Sequence, residues 1–285
     1  MAQAQTMEDR APAETPGSQQ EMSPAPKVVP EGYKPAGKLA GKKALITGGD
    51  SGIGRSVAVM FAMEGADVAI NYLSEDEDAQ ETKRLVEQYG RSCHLFPGDV
   101  TDEAFCKKTV DEAAAKLGGL NVLVNNAAEQ HPREDIREIT GEQLRRTFET
   151  NIFGYFHMAK HALEHLHAGD SIINTSSVTA YKGKAVLLDY ASTKGAITAF
   201  TRSLAEGLKD KKIRVNAVAP GPVWTPLITS TFPPEKIETF GTNTIEKRPA
   251  DPGDIAATYV FLASDDALFY SGQTFHPNGG TVVAS

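Results

Sequence analysis

Short apolar runs and longer amphipathic stretches take turns along most of this 285-residue chain. Ala44-Leu45-Ile46-Thr47 is a run of strand length, and residues 57–64 behind it form an apolar helical stretch. The pairing recurs. A strand over 67–72 precedes a charged amphipathic helix over 77–89. A third strand over 92–96 leads to Asp99-Val100, where Thr101 or Asp102 is placed to cap the next helix. Further strands are expected over 121–124, 171–175, 213–218 and 273–276. Strands separated by helical segments specify an α/β fold: a doubly wound parallel sheet of about seven strands, covered on both faces.

Polar and glycine signals fall where these strands end, which is where ligands of such sheets bind. After the first strand comes Gly48-Gly49-Asp50-Ser51-Gly52-Ile53-Gly54, opening directly into a helix. Gly48 suits the tight turn, Gly52 lets backbone approach a pyrophosphate, and Gly54 allows close helix–strand packing. The helix N-terminus adds free N–H groups and a partial positive charge for the anion. Residues 38–285 therefore read as one Rossmann-type dinucleotide-binding domain. Residues 1–37 hold six of the chain's sixteen prolines and few apolar positions. They read as a tail, either disordered or docked on a surface through Val28, Val29 and Tyr33. The proline-bearing, poorly periodic segment 222–248 reads as a substrate lid.

Charge and cysteine content narrow the class. A net charge of −8 excludes nucleic acid and anionic membrane as natural partners. The two cysteines, Cys93 and Cys106, lack metal-ligand spacing and fit a reducing compartment. No apolar run approaches the roughly 20 residues of a membrane span, and the N-terminus lacks a secretory apolar core. A cytoplasmic protein is expected.

Tyr190 and Lys194 stand four apart, so on a helix they share one face. A phenol titrates near pH 10 unaided, and an ammonium one turn away favours its ionised form. Ser177, thirteen residues before the tyrosine, can hold a substrate oxygen beside the phenol. Such a set moves a proton on or off an alcohol or carbonyl oxygen. A Tyr-x-x-x-Lys pair alone is common on solvated helix faces; the weight comes from its company.

Together, the Thr47–Gly54 turn, Asn125-Asn126-Ala127-Ala128, Asn151, Ser177, Tyr190, Lys194 and Pro220-Gly221 with Thr225 resemble the short-chain dehydrogenase/reductase family. The stretch 126–132 and the N-terminal tail look most like its bacterial general-stress, glucose/ribitol-dehydrogenase-like branch. The resemblance implies that Tyr190 is the general acid or base, with Lys194 lowering its pKa and binding nicotinamide ribose hydroxyls. Ser177 rather than its neighbour Ser176 would orient the substrate, and Asn151 would complete a proton relay. Dinucleotide contacts would come from Gly48, Asp50, Ser51, Gly52, Ile53 and Gly54 in the turn, and from Asn71 and Tyr72 at the end of the second strand. Asp99 and Val100 would meet the adenine, Asn125 and Ala127 the ribose, and Pro220, Gly221, Val223 and Thr225 the nicotinamide.

An acid at the end of the second strand would select NAD, but Asn71 there is neutral, and no arginine stands beside it or at Ser51 for a 2′-phosphate. Use of both NAD and NADP follows. Gln130, Val178, Leu188 and Trp224 are the candidate substrate contacts, for a small alcohol, polyol or carbonyl compound. His157, His161 and His165 share one helix stripe. The resemblance implies no metal and makes this a subunit interface within a homotetramer, a dimer of dimers. Two other readings are a cofactor-sensing regulator without turnover and an epimerase or dehydratase using cofactor transiently. Retention of all four catalytic residues disfavours the first, and the roughly 65 residues after Pro220 leave little room for the second's larger substrate domain.

Overall fold

A computed structural model describes residues 16–283. The first fifteen residues of the expected tail lie outside the described residues. Seven strands form one sheet: β1 (Lys43–Thr47), β2 (Asp67–Tyr72), β3 (Cys93–Pro97), β4 (Val122–Asn125), β5 (Ser171–Thr175), β6 (Arg214–Val218) and β7 (Thr274–Phe275). Their spatial order is β3-β2-β1-β4-β5-β6-β7, and every pairing is parallel. The connection from β3 to β4 reverses the direction of growth. A crevice therefore opens between the carboxyl ends of β1 and β4, the switch point where such sheets take ligands.

The strands look uniformly apolar in sequence because both faces are covered. Ile46, Ile70, Val124, Ile173 and Val218 pack against α1 (Gly52–Met63) and α10 (Pro252–Ala263) through Met60, Phe61, Ile255 and Tyr259. Leu45, Ala69, Leu123, Ile172 and Val215 face the opposite way. They meet Val110 and Leu117 of α3 (Glu103–Leu117) and Met158 of α5 (Gly154–Ala162). Each fully buried aliphatic side chain contributes about 1.5–3 kcal/mol, so these two layers supply most of the driving force. α2 (Asp76–Glu87) covers the β3 edge.

Helix ends follow local chemistry. Asp102, not Thr101, caps α3, accepting from Ala104 N at 2.8 Å and Phe105 N at 3.2 Å. Gly118, at φ 74°, ends the same helix. Asp251 and Asp254 form a reciprocal capping box around Pro252 at the start of α10. α4 (Gly141–Phe148) does not stop before α5: a π-helical turn, Glu149–Phe153, joins them. Beyond β5 come the short α6 (Thr179–Lys182) and the long α7 (Leu188–Gly207). The segment 222–248 carries α8 (Pro226–Thr229) and α9 (Pro234–Glu238).

Residues 16–37 lie along the body. Trp224 Nε1 donates to Pro24 O at 2.8 Å, Gly253 N to Lys27 O at 3.0 Å, and the Tyr33 hydroxyl to the Glu64 carboxylate. Among the described residues no helix is long and apolar enough to cross a membrane.

Candidate active site

The crevice at the switch point widens into a cavity of about 900 Å³. Its floor is the glycine-rich turn. Gly48 holds φ +60° and Gly52 φ +52°, both in the left-handed region that glycine enters freely. A Cβ on Gly54 would stand 1.8 Å from Gly48 O, so α1 can reach this close to β1 only with hydrogen there. Asn126 locks the turn from the other side of the crevice, donating to Thr47 O at 3.2 Å and Gly48 O at 3.1 Å. Ser51 makes no side-chain cap on α1. The result is a shallow cradle of backbone at a helix N-terminus, which fits the pyrophosphate of a dinucleotide.

Most residues singled out from the sequence line this one cavity: Gly48, Asp50, Ser51, Gly52 and Ile53 at the turn, then Asn71, Tyr72, Asp99, Val100 and Ala127. Ser177, Val178, Tyr190 and Lys194 line its centre, and Gln130, Pro220, Gly221, Val223 and Thr225 its far end. Burial pushes the Asp50 carboxyl up to about 6, opposed by the Ser51 hydroxyl. Burial also acts on Asp99, but the Thr101 N–H and the Arg146 guanidinium, 2.8 Å away, outweigh it and hold the carboxyl below its usual range. Arg55, at the start of α1, is a packing residue. Its guanidinium is buried on Asp78 at 2.8 Å and on Asp50 O at 2.8 Å.

Three expectations are corrected and a fourth refined. Asn125 turns its side chain into the sheet, donating to Asn174 Oδ1 at 3.0 Å; strand alternation hands the cavity to its neighbour Asn126. Trp224 faces the N-terminal segment through the bond to Pro24 O and leaves the substrate wall to Val186, Leu187, Leu227 and Phe232. Leu188, at the start of α7, is exposed and does not line the cavity. Asn71 lines it but spends its amide on Phe96 O at 3.1 Å and Gly98 O at 2.9 Å. At the end of β2 the Tyr72 hydroxyl donates to Asp76 at 2.6 Å, and beyond the strand Glu75 lines the cavity.

At the centre, α7 presents Tyr190 and Lys194 from one face. Lys194 is 1% exposed, and its Nζ donates to Thr175 O at 2.9 Å. It lies 5.3 Å from the centroid of the Tyr190 ring and 5.7 Å from that of Tyr155. Burial draws the ammonium down to about 7 and pushes the phenol up to about 12, the Ser177 hydroxyl opposing that rise. The two groups are thus driven in opposite directions. Burial, absent from the helical-spacing argument, outweighs the attraction of phenolate to ammonium in the polypeptide's own field. Ser177 and Ser176 separate cleanly. Both line the cavity, but Ser176 Oγ donates to Lys194 O at 2.9 Å and ties β5 to α7, whereas Ser177 Oγ stays beside Tyr190, accepting from Thr179 N at 3.1 Å.

Asn151 sits in the π turn, fully buried and off the cavity wall. Its Nδ2 donates to Glu129 O at 2.9 Å and Thr193 Oγ1 at 3.1 Å, and its Oδ1 accepts from Glu129 N at 2.9 Å. The extra residue of the π turn aims this side chain at the loop after β4. The amide therefore clamps that loop to α7. The histidine stripe is occupied otherwise: His157 and His161 approach Glu103 at 3.7 Å and 3.4 Å, and His165 contacts Asp111 at 2.8 Å.

Sequence reasoning missed Arg146, which bridges Asp99 and Glu129, and Pro16 and Gly17, which line the cavity from the N-terminal segment. No local signal marks them, since each acquires its place through contacts distant in sequence.

This chain is similar to known proteins over nearly its whole length. A family model described as enoyl-(acyl carrier protein) reductase matches residues 48–282. General stress protein 39 of Bacillus subtilis is 54% identical over 278 residues, spanning 96% of this chain and 97% of that protein. The glucose and ribitol dehydrogenase of Daucus carota is 53% identical over 274 residues, spanning 94% of each. Among solved structures, a short-chain dehydrogenase from Burkholderia cenocepacia in complex with NADP superposes with a TM-score of 0.80 at 30% identity. That superposition covers 85% of this chain and 98% of the other.

Proposed function

The chain belongs to the short-chain dehydrogenase/reductase family of oxidoreductases, and from that premise we propose that it interconverts a small alcohol or polyol and the matching carbonyl compound. One observation carries this reading: the glycine cradle, Ser177, Tyr190 and Lys194 all face one cavity. A nicotinamide dinucleotide, when bound, supplies or accepts the hydride. The turn from Gly48 to Gly54 and the Asp99 end of the cavity would hold its pyrophosphate and adenosine. Tyr190 gives its proton to the carbonyl oxygen in reduction and takes one from the hydroxyl in oxidation. Ser177 fixes that oxygen beside the phenol. Lys194, held on Thr175 O, orients the phenol and the ribose hydroxyls; Asn151 acts as a positioning residue, through Glu129 and Thr193. The apolar wall of Val186, Leu187 and Phe232, with Gln130 and His131 opposite, suits a compact substrate carrying hydroxyl groups.

Both NAD and NADP serve in this proposal. Neutral Asn71 and Tyr72 at the end of β2 neither repel a 2′-phosphate with a carboxylate at that position nor pair it with a guanidinium. The expected result is net change in reduced-cofactor absorbance, with either dinucleotide, over a panel of aldehydes, ketones, sugars and polyols. Binding without turnover would point to a regulator. Product without net cofactor change would point to an epimerase or dehydratase, and an absolute preference for one dinucleotide would overturn dual use.

Assembly as a homotetramer belongs to the same proposal. Leu144, Phe153 and Phe156 are exposed along α4 and α5, and Leu268, Phe269 and Tyr270 stand exposed just before the β7 edge. Two separate apolar patches on one protomer fit two kinds of interface in a dimer of dimers. Sedimentation is expected to give four protomers; a monomer across micromolar concentrations would refute it.

A further inference from the structure

Among the described residues the N-terminal segment enters the cavity wall at Pro16 and Gly17, and there it touches both sides of the opening. Gln19 is buried and makes two long-range hydrogen bonds. Its N–H donates to Asp78 Oδ2 at 2.7 Å, and its Oε1 accepts from Gly52 N at 2.7 Å. Asp78 in turn holds Arg55, which reaches Asp50 O, so Gln19 is wired into the back of the glycine-rich turn through both its backbone and its side chain. Two residues earlier, Gly17 lies against the lid. A Cβ there would stand 3.0 Å from Ser230 Cβ and 3.1 Å from Pro226 O. Pro16 and Gly17 line the cavity, as do Gly52 on one side and Pro226 and Ser230 on the other.

We propose that residues 16–19 form a clasp between the glycine-rich turn and the lid helix α8, and that this clasp sets the rate at which the dinucleotide leaves. The inference rests on the reading of the cavity as a dinucleotide site. The turn is packed on β1 and locked by Asn126, whereas the lid reaches the body through few bonds: besides those at its ends, Gln130 Nε2 donates to Leu227 O at 3.4 Å and Lys236 Nζ to Glu134 at 2.8 Å. Trp224 N donates to Ala250 O at 2.9 Å, and Ile245 N to Gly279 O at 2.8 Å. For α8 to swing away from the turn, either Gly17 must leave Ser230 or Gln19 must leave Gly52. The remainder of the strap stays seated by independent contacts: Pro24 on Trp224, and Lys27 N on Asp251 Oδ1 at 3.0 Å. Exchange therefore requires one end of this four-residue clasp to let go, a local opening of the kind that gates many enzymes.

The two ends of the clasp can be cut separately. Gln19→Ala removes the bond to the turn; Gly17→Val wedges the segment off α8 without touching the turn. Release of NADPH and of NADH from the full-length protein is followed by stopped-flow displacement, using the cofactor's own fluorescence. Each variant is expected to release the better-bound dinucleotide about tenfold faster, the consequence of one lost hydrogen bond or contact. The double variant should be no faster than the quicker single one, because a clasp opened at one end is already open. Trp224 is the chain's single tryptophan. An unchanged emission maximum checks that the strap behind the clasp is still docked and the variant folded. Faster release in Gln19→Ala with wild-type release in Gly17→Val would reduce Gln19 to a support for the turn and overturn the clasp, as would unchanged release in both. A wild-type protein that binds neither dinucleotide would instead refute the cavity assignment itself.

Discussion

Replacing Tyr190 by phenylalanine is expected to lower turnover about 10²–10⁴-fold in both directions, the usual contribution of a positioned acid or base. Dinucleotide affinity and the unfolding midpoint should barely move. The substitution deletes one hydroxyl and leaves the ring packed beside Lys194, 5.3 Å from its Nζ. Ser177 keeps its contacts with Thr179, so no new unsatisfied group arises from its hydroxyl. The pH profile supplies a second signature. Burial pushes this phenol up to about 12, with Ser177 opposing, so it stays protonated through neutral pH. That is the form needed to donate a proton to a carbonyl oxygen. Alcohol oxidation needs the ionised form, whose share grows tenfold per pH unit below the pKa. Oxidation by the wild-type protein should therefore climb with pH while reduction does not, and Tyr190→Phe should lose the climb. Steady-state rates from pH 6 to 9 check this; wild-type turnover in the variant would remove the phenol from the chemistry.

The second large effect is structural. Gly54→Ala places a methyl carbon 1.8 Å from Gly48 O and 2.7 Å from Gly48 C. Neither is the free end of a side chain, so the contact can be relieved only by opening the turn or tilting α1 away from β1. Ordinary overpacking costs about 1–3 kcal/mol, and a collision with backbone belongs at or above the top of that range. A loss of about 3 kcal/mol lowers the unfolding midpoint by roughly 6–12 °C in a domain of this size. Dinucleotide affinity should fall more than tenfold, because the displaced turn is the surface that meets the pyrophosphate. Thermal unfolding and dinucleotide titration read the two losses independently. A variant as stable as wild type would mean that α1 and β1 do not meet this closely.

Much of this was legible in the chain itself. Short β-rich runs alternating with helical stretches specify a parallel sheet, and β2 and β5 begin and end where the pattern places them. Gly48 to Gly54, and Tyr190 with Lys194, are local patterns, so spacing along a strand–turn–helix or along one helix already determines how their parts lie. Ser177 follows β5 directly, and the carboxyl end of a central strand faces the crevice by topology alone.

What escaped was set by partners far away in sequence. An apolar strand buried on both faces does not announce which way Asn125 or Asn71 turns; pairing with Asn174 and with the carbonyls of Phe96 and Gly98 decides it. Trp224 looked like substrate wall until Pro24, 200 positions earlier, claimed its N–H. Gln19 carries no motif and acquires a role only when the N-terminal segment crosses the turn. The ionisation of Tyr190 and Lys194 belongs here too. Helical spacing gives their separation, but the depth of water-free protein around them overrides the attraction that spacing suggests. Local order in the chain thus determined the fold, the cradle and the catalytic face of α7. Only three-dimensional packing decided which polar groups meet the cavity and in which charge state, because burial and long-range pairing are properties of the assembled molecule.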